Sequence, residues 1–359
     1  MNDLIVNFAV ELNAMSHLTS SVQFGFIFGT LVFAFFTIAD RFSPSKVFFV
    51  SALFGALMNI GMVWEGNTIT TLLLFRFLTG FFLAGIYPVG MKIAADYYDK
   101  KLGKSLGWLV GALVLGTALP HLLKDFTVDI QWQYVLYVTS LLAFVGGLLL
   151  IVLVPDGPYR KKSQKFDIRT FSSIAKIKKL RLAAFGYFGH MWELYAFWAF
   201  VPVLLKTYQE LHPGTTFNIS LLSFFIIAIG FLSSGFGGYL SQKYGVKKIA
   251  FIALLLSCVC CLISPFLFYV ESEYVFVIFL LFWGMVVIAD SPMFSTLVAH
   301  NAKAEVKGTA LTLVNCIGFA ITIVSIQLLS MLVDSFDTIA VYTVLAAGPI
   351  IGLISIRKI

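Results

Sequence analysis

The sequence predicts an all-α integral membrane protein made of two pseudo-symmetric helix bundles, and three observations predict it. Of 359 residues, 59% are hydrophobic and only 12% charged, whereas a soluble domain carries about 25% charged residues. The apolar residues fall in runs of about 20, the length of a membrane-spanning helix rather than of a barrel strand. Several segments also recur at a spacing of about 203 residues, so the second half repeats the first.

Eleven helices follow from this pattern. Helices at about 20–39 and 46–64 flank a polar break that holds Asp40, Arg41 and Lys46. Those at 70–96 and 104–123 are separated by Lys100, Lys101 and Lys104. The helix at 132–154 ends at a loop, 155–181, with nine basic residues from Arg160 to Arg181. Helices at 182–206 and 218–239 lead to Lys243, Lys247 and Lys248. Next come 248–270 and 274–299, then Lys303 and Lys307, then 308–333 and 338–356 before Arg357 and Lys358. The division is therefore a first bundle over 1–154, a basic linker over 155–181 and a second bundle over 182–359.

Alternate connections hold 21 basic residues, while the others hold little beyond Lys124 and Lys206. Basic loops stay in the cytoplasm, which places 155–181 and the C-terminus there and the protein in the inner (plasma) membrane. The net charge of +7 is thus a topology signal in contact with lipid headgroups, not a nucleic-acid footprint. Cys258, Cys260, Cys261 and Cys316 all lie inside predicted helices and read as packing residues, neither disulfides nor metal ligands. No cleavable secretory signal precedes the first helix. The "GKS" at Gly103–Ser105 is not a phosphate loop, because Tyr98 stands where its first glycine is needed. There is no H-E-x-x-H and no G-x-S-x-G, so neither catalysis nor a cofactor is expected, and a monomer in lipid is.

Three segment pairs carry the repeat. "IADRFSPSKVFF" at 38–49 answers "YLSQKYGVKKIAF" at 239–251, and "AGIYPVGMKIAA" answers "ADSPMFSTLVA" with Pro88 opposite Pro292. "KSLGWLVGALVLG" answers "KGTALTLVNCIGF" with Lys104 opposite Lys307. Parallel repeats joined by a long loop are a transporter construction. Helix 182–206 has no partner in the first half, where the repeat would place it before Met1; a polar lead-in, "NFAVELNAMSHLTSS", stands there instead. The expectation is a twelve-helix plan with its first helix missing.

These residues resemble the major facilitator superfamily over essentially the whole chain. That family follows its second helix with G-x-x-x-D-R/K-x-G-x-R/K-R/K. Here Asp40, Arg41 and Lys46 match, while Phe36 and Ser43 replace glycines. The second copy keeps Gly238, Lys243, Gly245, Lys247 and Lys248, with Gln242 for the acid. Arg76, Gly80 and Gly85 follow the R-x-x-x-G of family helix four. The drug-antiporter ending G-P-x-x-G-G is absent. "GHMWELYAFW" is similar to bacterial nitrate and cyanate porter relatives, but stretches 20–39 and 218–239 lack the arginines that bind nitrate in that group. The resemblance implies a cavity lined by family helices one, four, seven and ten. It also implies that Asp40, Arg41, Lys46 and Lys243 form a conformational gate that never touches substrate.

The candidate site residues are the polar ones inside helices. Glu193 lies near the middle of helix 182–206, roughly 17 Å from either end, with His190 three residues before it. An acid at that depth binds a proton or a polar substrate group, or is a neutral hydrogen-bonded staple. Two candidate ligands make no metal site. Trp192 and Tyr195 are pocket-lining or packing aromatics. Asp290, before Ser291 and Pro292, sits where proline should break the helix and free carbonyls. Arg76 binds an anionic group, pairs with a buried acid or snorkels. The expected function is secondary active transport of a small polar solute or organic anion by alternating access, coupled to protons through Glu193. The alternative is a non-transporting family member acting as a membrane receptor or assembly partner.

Overall fold

The computed structural model describes residues 14–98, 102–126, 131–160, 176–302, 307–336 and 338–359. Every regular element among them is a helix. The chain divides into two compact units, Met1–Leu102 with Phe126–Asp167, and Gly103–Asp125 with Ile168–Ile359.

The first unit holds α1 (Ala14–Phe35), α2 (Ile38–Arg41), α3 (Pro44–Gly61), α4 (Ile69–Leu83), α5 (Tyr87–Tyr97) and, beyond a gap in chain order, α7 (Gln133–Leu153). The second unit takes α6 (Leu102–Phe126), then α8 (Lys178–Leu211), α9 (Ile219–Ala228), α10 (Gly230–Tyr244) and α11 (Val246–Leu267). It continues with α12 (Glu273–Ala289), α13 (Ser291–Asn301), α14 (Lys307–Ser335), a 3-10 turn (Ile339–Ala346) and α15 (Ala347–Arg357). Packing thus groups α6 with the second unit, although chain order puts it in the first. Trp108 of α6 lies against Phe231 of α10, ring centroids 5.3 Å apart.

Among the described residues, 11 helical stretches are long and apolar enough to span a membrane, and they follow the eleven predicted helices in order. In hydrocarbon every backbone polar group must be satisfied internally, which leaves helix as the only open-chain solution. Helix starts use side-chain caps where the sequence supplies them. Thr68 and Thr71 bond reciprocally at α4, and Asn218 Oδ1 accepts from Leu221 N–H at α9. At 34 residues α8 is roughly 50 Å long and outreaches the ~30 Å hydrocarbon core.

Two predicted helices are each broken, at matching places. α4 gives way to α5 ahead of Pro88, and α12 to α13 ahead of Pro292. The bounds of α5 and α13 differ by 204 at both ends, 87 to 291 and 97 to 301. The same offset relates two backbone crossings. A Cβ on Gly80 would lie 1.9 Å from the Val22 carbonyl oxygen, and one on Gly284 would lie 2.0 Å from that of Ile226. The sequence repeat is therefore a repeat of helix breaks and of close crossings. The remaining α1–α4 contact is of the same kind, with Gly25 and Gly29 against the Phe77 and Phe81 carbonyls. Small residues let membrane helices approach this closely.

Polar side chains add a second kind of glue. Asn59 of α3 donates to Leu136 O, Thr139 Oγ1 and Ser140 Oγ of α7. Two further departures from the predicted helices follow, the first without a proline and the second just ahead of Pro349. The stretch at 218–239 breaks at Ile229 between α9 and α10, and the last span opens as a 3-10 turn.

Candidate functional site

The buried ionisable groups of the second unit gather where α8, α11, α12 and α13 meet. Glu193 is 1% exposed, and three donors converge on one of its oxygens. Oε1 accepts from Ser257 Oγ at 2.5 Å, Trp283 Nε1 at 2.6 Å and Cys261 Sγ at 3.2 Å. Ser257 and Cys261 come from α11 four residues apart, so one helix face presents both. Trp283 comes from α12, its ring 4.6 Å from that of Phe197. An indole N–H can only donate, so Oε1 is an acceptor. Buried charge is tolerated only with such partners.

His190 and Asp290 form the second element. His190 Nδ1 lies 2.8 Å from Asp290 Oδ1, with both side chains about 1% exposed. No other side chain among the described residues reaches the Asp290 carboxyl, and His190 Nε2 has no hydrogen-bond partner among them. Asp290 is the hinge residue between α12 and α13, and its carbonyl accepts from Met293 and Phe294 N–H, both at 3.0 Å. His190 lies between two rings, Tyr187 at 6.0 Å and Phe294 at 6.1 Å.

This arrangement differs from the expectation at several points. His190 and Glu193 share a helix turn, but the break at Asp290 gives His190 its own acid and leaves Glu193 to α11 and α12. Ser257, Cys261 and Trp283 were not singled out by sequence, because a serine, a packing cysteine and an aromatic in apolar helices carry no periodic signal. Trp192 turns the other way, its Nε1 donating to Val344 O at 3.1 Å. Tyr195 packs on Trp198 and on Phe319 of α14, at 5.2 and 5.3 Å.

The donor set predicts a stability effect. Ser257→Ala removes a short hydrogen bond from a buried carboxyl, a loss of about 1–3 kcal/mol, and the purified protein is expected to unfold at lower temperature. Cys261→Ser, which keeps a donor, is expected to cost less. Equal thermal midpoints for Ser257→Ala and wild type would show the bond to be immaterial.

Arg76 lies in the first unit, on α4. Its guanidinium is half-buried, and its one recorded contact is a long one, Nε to Leu18 O at 3.5 Å. Among the described residues no carboxylate pairs with it.

At the basic end of the first unit, Arg41 and Lys46 are exposed, as is Lys243 in the second unit, whose Nζ lies 5.3 Å from the Tyr244 ring. The Asp40 side chain lies outside the described residues. The chain turns between α1 and α2 at Thr37, with φ 50°, an uncommon conformation for a β-branched residue. The segment after α7 docks on this loop. Ser43 Oγ donates to Asp156 Oδ1 at 2.7 Å, Arg160 donates to Phe42 O at 2.8 Å, and Arg160 also pairs with Asp156. Ser45 Oγ reaches Val154 O at 2.7 Å. The end of α5 joins in, with Tyr97 OH donating to Pro155 O at 2.5 Å and Tyr159 N–H to Asp96 O at 3.0 Å, while Asp96 pairs with Lys92 at 3.2 Å. Asp156 and Arg160 were not predicted, although "PDGPYR" offers an acid and a base four residues apart.

Among the described residues, eleven stretches long and apolar enough to span a membrane, a repeated pair of broken helices and acids buried between helices define a multi-pass helical membrane protein. The chain matches the family described as the Major Facilitator Superfamily over residues 2–355 and belongs to it. A Bacillus subtilis (strain 168) protein named as the niacin/nicotinamide transporter NiaP is 24% identical over 241 residues, 62% of this chain and 56% of that protein. Multidrug resistance protein MdtG of Klebsiella pneumoniae (strain 342) is 26% identical over 307 residues, 83% of this chain and 72% of MdtG. The benzoate transport protein of Acinetobacter baylyi is 24% identical over 298 residues, 71% of this chain and 62% of its own length. A crystal structure of the E. coli fucose:proton symporter FucP superposes with a TM-score of 0.70 over 99% of this chain and 93% of FucP, at 16% identity. That likeness is one of fold.

Proposed function

We propose that the protein is a secondary active transporter of small organic anions, aromatic carboxylates foremost, coupled to protons through the buried acids of the second unit. The observation that carries the reading is Arg76, a half-buried cation inside the membrane span without a described acid partner. A guanidinium so placed suits a planar carboxylate, which it can hold with two parallel hydrogen bonds. Two relatives bear names for such solutes, niacin and benzoate. Glu193, His190 and Asp290 supply groups that can take up and release protons inside the span.

In this reading transport runs by alternating access in the inner membrane, with bundles over 1–154 and 182–359 joined by 155–181 on the cytoplasmic side. Asp40, Arg41, Lys46 and Lys243 gate the motion without touching substrate. The test is uptake by proteoliposomes under an imposed pH gradient, acid outside. Labelled nicotinate and benzoate are expected to accumulate and fucose is not. Transport of lipophilic cations alone would overturn the reading in favour of drug efflux, and vesicles inert to every solute would favour a receptor.

A further inference from the structure

The two buried acids are surrounded so differently that they cannot do the same work. Glu193 is fixed, with three donors from two other helices on one oxygen. Such a shell is built to hold a charge in place and would have to be dismantled to move it. Asp290 is the reverse, buried at a helix break with one close side-chain partner from another helix, His190 Nδ1 at 2.8 Å.

We infer that the His190–Asp290 pair, rather than Glu193, is the element that carries the coupling proton. This rests on the proton-coupled reading above and assigns the residues within it. The physical reason is charge balance. With one proton between them the two side chains are neutral as a unit, either as carboxylate and imidazolium or as carboxylic acid and imidazole. Without that proton the pair carries a net negative charge and with a second one a net positive charge, buried in each case with no counter-charge among the described residues. Either state costs several kcal/mol. The pair therefore holds one proton while buried and can exchange it only when water reaches it, which is the condition that links proton transfer to alternating access.

The ionisable neighbours are few. Glu193 and Tyr187 share α8 with His190, Cys258 and Cys261 stand on α11, and Cys316 is on α14. The other charged groups on the packed helices, such as Lys243, Glu273, His300 and Arg357, sit at helix ends. Asp290 is also the residue at which α12 becomes α13, so hydrating the pair would act directly on the break.

Two measurements test this on the full-length protein. In proteoliposomes, D290N and H190Q are each expected to lose gradient-driven accumulation of benzoate while keeping counterflow exchange. E193Q is expected to lose less accumulation than D290N and H190Q and to unfold at lower temperature. Independently of any solute, the pH-induced infrared difference spectrum of the purified protein should contain carboxyl or imidazole bands that D290N and H190Q remove and E193Q leaves. Accumulation lost in E193Q and kept in D290N, or bands that follow Glu193, would overturn the assignment. If no carboxylate is transported, the function fails but the infrared result still decides this point. If D290N does not elute as a monodisperse peak, H190Q carries both measurements.

Discussion

Arg76→Gln is expected to abolish the transporter's preference for a carboxylate over the matching amide, nicotinate over nicotinamide and benzoate over benzamide. Among the described residues Arg76 holds a single 3.5 Å contact to a backbone carbonyl, which leaves most of its guanidinium donors available to an anion. Truncating one partner of a buried charged pair costs about 2–5 kcal/mol, and 1.4 kcal/mol is tenfold. Carboxylate uptake below saturation should therefore fall by about 30-fold to several thousand-fold, while amide uptake changes little. Arg76→Lys should not restore it, because an ammonium is a point charge and cannot present the guanidinium's parallel donors. Initial rates for the four solutes in the three proteins decide the matter. An equal loss for acid and amide would mean that Arg76 supports the fold of α4 and never meets the substrate.

The spans were legible because the bilayer imposes one rule on every residue within it, and a run of about 20 apolar residues satisfies that rule almost alone. Pro88 and Pro292 announced their helix breaks for a similarly local reason, since a missing N–H acts on its own turn. The break at Ile229 has no such residue and follows from packing, with Gly230 against Ile288 of α12. Site partners were harder to read. The sequence put Glu193, His190 and Asp290 in one set of candidates, because acids and histidines in apolar helices stand out. It could not say that His190 would turn to Asp290, since three residues of spacing on α8 place His190 and Glu193 together and only the register of α13 separates them. The donors to Glu193 are ordinary membrane-helix residues whose importance exists only in three dimensions. Arg76 was visible, but not that no acid among the described residues would pair with it.

Gly284→Ala and Gly80→Ala are expected to be among the most damaging single-methyl changes at the described glycines, and to damage the protein alike. The added Cβ would stand 2.0 Å from the Ile226 carbonyl oxygen in one case and 1.9 Å from that of Val22 in the other. The neighbour in both is backbone, which cannot rotate away as a side chain can. The helices must separate, losing close packing along the whole crossing, and packing is most of what holds membrane helices together. Over-packing costs about 1–3 kcal/mol where side chains can yield, and a backbone clash should cost at least that. The expected result is a thermal midpoint in detergent lowered by about 5 °C or more, or no folded protein at all. Gly116 and Gly146 are the controls, with nothing within 4 Å of an added Cβ. Their alanine variants should be neutral or slightly stabilising, since alanine is the better helix former. Equal sensitivity at Gly80 and Gly284 would mean that the repeat is maintained by the same contact in each half. Tolerance at Gly80 with damage at Gly284 would mean that α1 and α4 can part without loss, and that the first unit does not depend on this crossing.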